Sequence, residues 1–147
     1  MKLYLDTCSL QRPLDNKTQI RIILEAEAVL AILALCESGE IVLVSSEVLM
    51  FEIKRNPNET RRRYALEALS KAHVFAVLND GMEERARELV AAGIGPLDAL
   101  HLASAEAVGA DCLCTCDDRF LRRVQLIPDP KTRVTSPLEV IQEIGKW

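Results

Sequence analysis

The chain has 147 residues, nearly half of them hydrophobic, with few Gly and Pro. That length and composition suit one well-filled core, a single domain over 1–147, and exclude a disordered chain. A net charge of −4 and an aromatic content of 4% exclude a uniformly basic nucleic-acid surface and a base-stacking platform.

In chain order, Lys2–Leu5 (KLYL) predicts a short first strand ending at Asp6, and Thr7–Asp15 a turn-rich loop containing Pro13. Thr18 to about Ser38 carries Ile20, Ile23, Leu24, Ala31 and Leu35 at helical spacing, with Gly39 as a stop. Ile41–Val44 is a second buried strand, and Ser45–Ser46 caps a helix through about Lys54. After the Asn56-Pro57-Asn58 break come a helix from Glu59 to Lys71, a strand Val74–Leu78, and a helix Met82–Ala92 capped by Asp80. Pro96 then opens a helix that is apolar on nearly every side as far as Val108, which marks it as buried. Asp111–Cys114 is the next strand, Thr115–Asp118 its turn, and Arg119–Arg123 a short helix that Asp118 is placed to cap. Arg133–Thr135 reads as an edge strand and Pro137–Gly145 as a closing helix. This alternation predicts an α/β sandwich with a mainly parallel central sheet. The start MKLYLDT lacks the apolar run of a signal peptide, and Ala28–Cys36 is too short to span a bilayer. Five cysteines without an export signal point to reduced thiols and a cytoplasmic setting with no membrane partner.

Function is written in the carboxylates. Asp6 follows the first strand, Asp117 and Asp118 follow the Asp111–Cys114 strand, and Asp98 opens the helix leading into it. Glu52 lies on the helix after the second strand. Parallel sheets bind ligands at the carboxyl ends of their strands, so if the first strand neighbours Asp111–Cys114 these acids converge. No Lys or Arg lies between Gly95 and Asp118 to compensate them. A hard divalent cation, Mg2+ or Mn2+, resolves that repulsion while keeping waters and substrate phosphates in its shell. It also activates water for in-line attack on a phosphodiester, so no side-chain nucleophile is needed. Glu47 falls where an N-terminal capping role is natural, which favours Glu52 as the second acid.

The motifs LDT at the first strand, SSEVLMFEI after the second, LDALHLASAEAVGAD, and then TCDDRF together resemble a PIN domain, similar to VapC-type toxin ribonucleases. DALHLASA followed by TxD is the most specific part, and the resemblance covers nearly the whole chain. It implies a three-layer α/β/α fold and a metal-dependent endoribonuclease acting on RNA, frequently a homodimer held in check by an antitoxin protein. By position it makes Asp6, Glu52, Asp98 and Asp117 the catalytic and metal-binding acids. Thr7 and Thr115 become neighbouring hydroxyl residues, with Asp118 able to share the role of Asp117.

Other polar residues have plainer readings. His101 reads as a satisfied core residue or hydrogen-bond partner, and Cys112, Cys114 and Cys116 as one packed face. Lys54, Arg55, Arg61, Arg62 and Arg63 form a basic cluster suited to RNA phosphates or simply to a solvated helix face, with Arg119, Arg122 and Arg123 as a second cluster. Arg12, in the loop after Asp6, is placed to reach a phosphate, and Arg21 with Glu25 suggests a surface helix pair. The apolar side of the Ile20–Leu35 helix is a candidate dimer or antitoxin surface. Three rival functions remain. An aspartyl phosphotransfer enzyme is weakened by Cys8 standing where a second Asp belongs. A catalytically silent protein-interaction module and an RNA-binding module are the others.

Overall fold

The computed structural model describes residues 1–145; Lys146 and Trp147 lie outside the described residues. Five parallel strands form one sheet in the order β3 (Val74–Ala76), β2 (Val42–Ser46), β1 (Lys2–Leu5), β4 (Cys112–Cys114), β5 (Arg133–Thr135). Leu3, Tyr4, Leu5, Leu43, Val44, Leu113 and Cys114 have no exposed surface at all. Burial on both faces is what a parallel sheet flanked by helices requires, and it explains why these strands read as continuous apolar runs.

The helices are α1 (Thr7–Gln11), α2 (Ile20–Glu37), α3 (Glu47–Lys54), α4 (Glu59–Leu69), α5 (Asp80–Ala91), α6 (Pro96–Ala107), α7 (Asp118–Val124) and α8 (Pro137–Ile144). The chain steps from β1 to β2 to β3 in one direction, then crosses back to β4 and β5. Right-handed crossovers therefore send the two sets of helices to opposite faces of the sheet, giving three layers. Helix α6 packs on α5 and buries the small side chains Ala99, Ala103 and Ala105. Helix α8 returns to pack against α2. Among the described residues no helix is long and apolar enough to cross a membrane.

Reversal of direction at β1 places the topological switch point between β1 and β4. Leu5 lies opposite Cys114, and the Asp6 amide donates to the Cys114 carbonyl at 3.1 Å. The first strand and Cys112–Cys114 are thus neighbours, the condition on which convergence of the acids depended.

Local capping chemistry corrects three expectations. Residues 7–15 are not a loop, because the Asp6 side chain accepts the Ser9 N–H at 3.0 Å and starts α1, followed by a 3-10 turn at Arg12–Leu14. Leu10, fully buried, anchors that turn to the core. Asn79 rather than Asp80 caps α5, accepting from the Met82 amide at 2.9 Å, and Asp80 sits in the first turn where its charge suits the helix dipole. Asp117 rather than Asp118 caps α7, accepting from the Arg119 amide at 2.9 Å. Elsewhere the elements begin and end within a few residues of the expected boundaries.

A fourth correction concerns Arg21 and Glu25. The pair exists, with Nε–Oε2 at 3.4 Å, yet Glu25 is only 2% exposed and is no surface residue. Arg12 grips it from the other side through Nη2 at 2.8 Å and Nε at 3.0 Å, and Arg12 also meets Asp15 at 2.8 Å. Arg61 joins Asp15 at 2.8 Å, and Arg21 reaches Asp118 at 2.6 Å. One charge network thereby ties α1, α2, α4 and the start of α7 together.

Candidate active site

Asp6, Thr7, Cys8, Glu52, Asp98, His101 and Asp117 line one small cleft of about 130 Å³ beyond the carboxyl ends of β1 and β4. Each arrives by a different route. Asp6 sits where β1 becomes α1; Asp98 is in the first turn of α6, which Pro96 starts. Asp117 is the cap of α7 just past β4. Glu52 reaches in from the last turns of α3, whose start is fixed by the Ser46 hydroxyl accepting the Leu49 amide at 3.0 Å.

Electrostatically the cleft is unbalanced. Burial raises the Asp6 carboxyl well above its ordinary range, against the Thr115 hydroxyl and the Ser9 amide, which favour its charged form. Burial also raises Asp98; His101 opposes this, and the charges of Asp117 and Glu52 add to it. Glu52 behaves oppositely. Burial would raise it, but hydrogen bonds from His101 at 3.0 Å and from Thr7 outweigh burial and hold it below the ordinary glutamate value. Among the described residues no Lys or Arg lines the cleft.

The raised pKa of Asp98 makes a prediction about stability. The folded state holds this proton more tightly than the unfolded chain, so the Asp98 contribution is intact below the ordinary aspartate value of 3.8 and is lost as pH rises through the folded value. In EDTA, Asp98→Asn should therefore be more stable than wild type at pH 7 by roughly 0.5 kcal/mol, discounted for the solvent reaching the cleft. The two proteins should melt alike in acid. Thermal unfolding across pH tests this, and a variant less stable at pH 7 would contradict it.

Cys8 offers no nucleophile. Its thiol donates to Asp6 at 3.1 Å, and the adjacent Cys116 thiol together with burial pushes its pKa up, so it stays protonated. The five cysteines are free, and Cys36, Cys112, Cys114 and Cys116 are buried in packed positions. Carboxylate oxygens are the available metal donors, a set that suits Mg2+ or Mn2+. Among the described residues no three His, Cys, Asp or Glu side chains stand close enough to cage an ion by themselves. Mg2+ and Mn2+ need only one or two direct carboxylates and fill the rest of their shell with water.

Of the remaining candidates, Thr115 is buried, and its hydroxyl accepts the Asp117 amide at 3.1 Å, shaping the turn that presents Asp117. Asp118 points away and pairs with Arg21. Glu47, the rival of Glu52, accepts the Leu78 amide at 3.0 Å and lies outside the cleft lining. The basic cluster does not line the cleft either. Arg12 and Arg61 are held by Asp15, Arg62 by the Asn56 carbonyl, Arg63 by Glu59, and Arg55 lies over the Phe51 ring. Lys54 is exposed. On α7, Arg123 is near enough to Asp98 to lower its pKa, which brings the second basic cluster closer to the site than the first. Sequence reasoning missed Cys8, Tyr4 and Ser46. Tyr4 reads as one more apolar strand residue, and nothing local signals that its hydroxyl meets Ser46 at 2.7 Å and His101 Nδ1 at 2.6 Å.

The profile of the PIN domain family matches residues 3–125, most of the chain and all the acids described above. The chain belongs to the PIN domain family. Solved structures of similar fold include VapBC2 from Rickettsia felis bound to a promoter DNA fragment, at TM-score 0.56 and 17% identity over 92% of this PIN domain chain and 98% of the other. Mycobacterium tuberculosis VapC20, a toxin that cleaves the sarcin–ricin loop, gives 0.54 and 19% over 82% and 93%. VapBC-1 from nontypeable Haemophilus influenzae gives 0.55 and 17% over 94% and 99%. At these identities the likeness speaks to the fold. Comparison with curated proteins gives no sequence match.

Proposed function

We propose that this PIN domain is a divalent-metal-dependent endoribonuclease, the toxin half of a toxin–antitoxin pair. The observation that carries the reading is the convergence of Asp6, Glu52, Asp98 and Asp117 on one cleft that, among the described residues, no Lys or Arg lines. Asp6 and Asp98, whose charges burial penalises most, are the direct ligands for Mg2+ or Mn2+. Bound there, the metal supplies water activation and charge neutralisation on a phosphodiester. Glu52, kept ionised by His101 and Thr7, and Asp117 orient water and complete the acidic rim. Arg119, Arg122 and Arg123 on exposed positions of α7, with Lys54 at the end of α3 and Arg55 just after it, are the cations available to RNA phosphates.

An antitoxin partner is supported by two observations. VapBC2 and VapBC-1, both similar in fold, are toxin–antitoxin complexes. This chain also carries an apolar groove of about 470 Å³ between α2 and α8, lined by Leu24, Ala28, Ala31, Leu35, Ile141 and Ile144. Ile20 and Leu30 stand 76% and 45% exposed on the same helix, α2, a surface that an antitoxin helix or a second copy would cover.

The test is cleavage of mixed structured and single-stranded RNAs in Mn2+, Mg2+ or EDTA, with Asp98→Asn purified identically. Cutting that needs metal and disappears in the variant is expected. Absence of both cleavage and Mn2+ binding in the wild type would transfer the assignment to a silent interaction module.

A further inference from the structure

The four acids are not held equally well by the backbone. Asp6, Asp98 and Asp117 are short side chains on a strand end, a first helical turn and a helix cap. Glu52 alone must reach the cleft through a longer side chain with three torsions, from the end of α3 remote from its cap. Its placement falls to other side chains, and the structure supplies them in a continuous chain.

Ser46 Oγ and Tyr4 OH are 2.7 Å apart, Tyr4 OH and His101 Nδ1 2.6 Å, and His101 Nε2 and Glu52 Oε1 3.0 Å. Hydrogen-bond chemistry sets the direction at the cleft end. An ionised Glu52 only accepts, so Nε2 must carry a hydrogen whatever the state of the rest of the ring. In the neutral ring Nδ1 is then an acceptor, Tyr4 donates to it, and Ser46 donates to the Tyr4 oxygen. The Thr7 hydroxyl donates to the same Glu52 oxygen, Oε1. Two donors thus fill Oε1, while Oε2 makes no hydrogen bond among the described residues. Tyr4 and His101 are buried, at 0% and 2% exposure, and their rings meet edge to face at 5.6 Å, so neither has room to turn.

We propose that His101, locked by Tyr4 and Ser46, is a positioning residue that clamps Glu52 Oε1 and presents Oε2 to the metal-binding cleft. The inference rests on the nuclease reading of that cleft and adds to it which oxygen is offered and what aims it. Because Ser46 also caps α3, one hydroxyl sets both the start of the helix and the far end of the relay. Glu52 meets the ion through oriented water, and outer partners of this kind around a metal site typically contribute about 10- to 100-fold in metal affinity.

The test measures Mn2+ binding by calorimetry on folded wild type, His101→Leu, His101→Gln and Tyr4→Phe, with thermal melts run alongside. His101→Leu should bind Mn2+ about 10- to 100-fold more weakly. His101→Gln, whose amide N–H lies near the Nε2 position, should recover most of that loss. Tyr4→Phe, which keeps the ring packing but removes the hydroxyl that holds Nδ1 and so fixes the tautomer, should fall between them. Nitrogen NMR of the imidazole, which needs no metal, should find Nε2 protonated in the wild type. Unchanged Mn2+ affinity in His101→Leu, no recovery in His101→Gln, or a bare Nε2 would each overturn the proposal and leave the nuclease reading intact. A wild type that binds no Mn2+ would instead overturn the nuclease reading, and this proposal with it.

Discussion

Asp6→Asn is expected to lower Mn2+-dependent RNA cleavage by at least about 100-fold, beyond the usual effect of removing a group outside the ligand shell. It should also make the metal-free protein more stable at neutral pH. The two effects share one cause. Asp6 is 4% exposed, and burial raises its pKa well above the ordinary value, so at pH 7 its charge is carried at a cost to the fold. Asparagine has nearly the same shape and serves equally well as an N-cap, so it keeps the bond from the Ser9 amide that starts α1. Relief of one poorly compensated buried polar or charged group is worth about 1–3 kcal/mol.

Metal should reverse the order. An ion that binds only the folded state stabilises it by about 2.7 kcal/mol at one hundred times its dissociation constant, a gain wild type takes and Asp6→Asn forgoes. Thermal melts in EDTA and in excess Mn2+ measure both arms. A variant that melts below wild type in EDTA, or that gains as much from Mn2+, would show that Asp6 is structural rather than a ligand.

Glu25→Ala carries the largest expected loss of stability. Its carboxylate lies in the interior between Arg12 at 2.8 Å and Arg21 at 3.4 Å. Breaking a buried pair by removing one partner costs about 3–5 kcal/mol, because the other charge is left desolvated and unmatched. Arg12 retains Asp15, which places this site at the lower end of that range. A loss of about 3 kcal/mol in a domain of this size lowers the Tm by about 6–12 °C. Glu25→Gln, which still accepts a hydrogen bond, should lose less. Replacing Glu25 and Arg12 together by Leu and Met should lose less than Glu25→Ala, since no buried charge is then orphaned. Cleavage should fall as well, because Arg21 links Glu25 to Asp118 and so steadies the turn that presents Asp117. A fully stable Glu25→Ala protein would mean that water solvates this network in solution.

How much of this was legible beforehand follows the range of the physics involved. Apolar runs bounded by Asp, Ser, Asn and Gly mark strands buried on both faces and the helices between them, and these signals are local. They place Asp6, Asp98 and Asp117 at strand or helix ends, where the backbone alone carries them to the sheet's edge. Glu52 over Glu47 was also legible, because Glu47 falls in the first turn after Ser46. Boundaries were less so. Whether α5 is capped by Asn79 or Asp80, and α7 by Asp117 or Asp118, turns on a single hydrogen bond that either residue type can make.

Only the tertiary structure decided the rest. Periodicity states that a face is apolar but not what covers it, so the adjacency of β1 and β4, on which the whole site depends, entered as a condition and was met by the register of Leu5 with Cys114. The same holds for polar groups. Arg21 and Glu25 four residues apart look like an exposed helix pair until Arg12 and the fold close over Glu25. Tyr4 finds its partners 42 and 97 residues away, in Ser46 and His101. A side chain's own residue type says what it can bond to, and the chain around it says whether it lies in a strand or a helix. Which atoms it meets is set by packing between distant segments, and that is where the aim of Glu52 is determined.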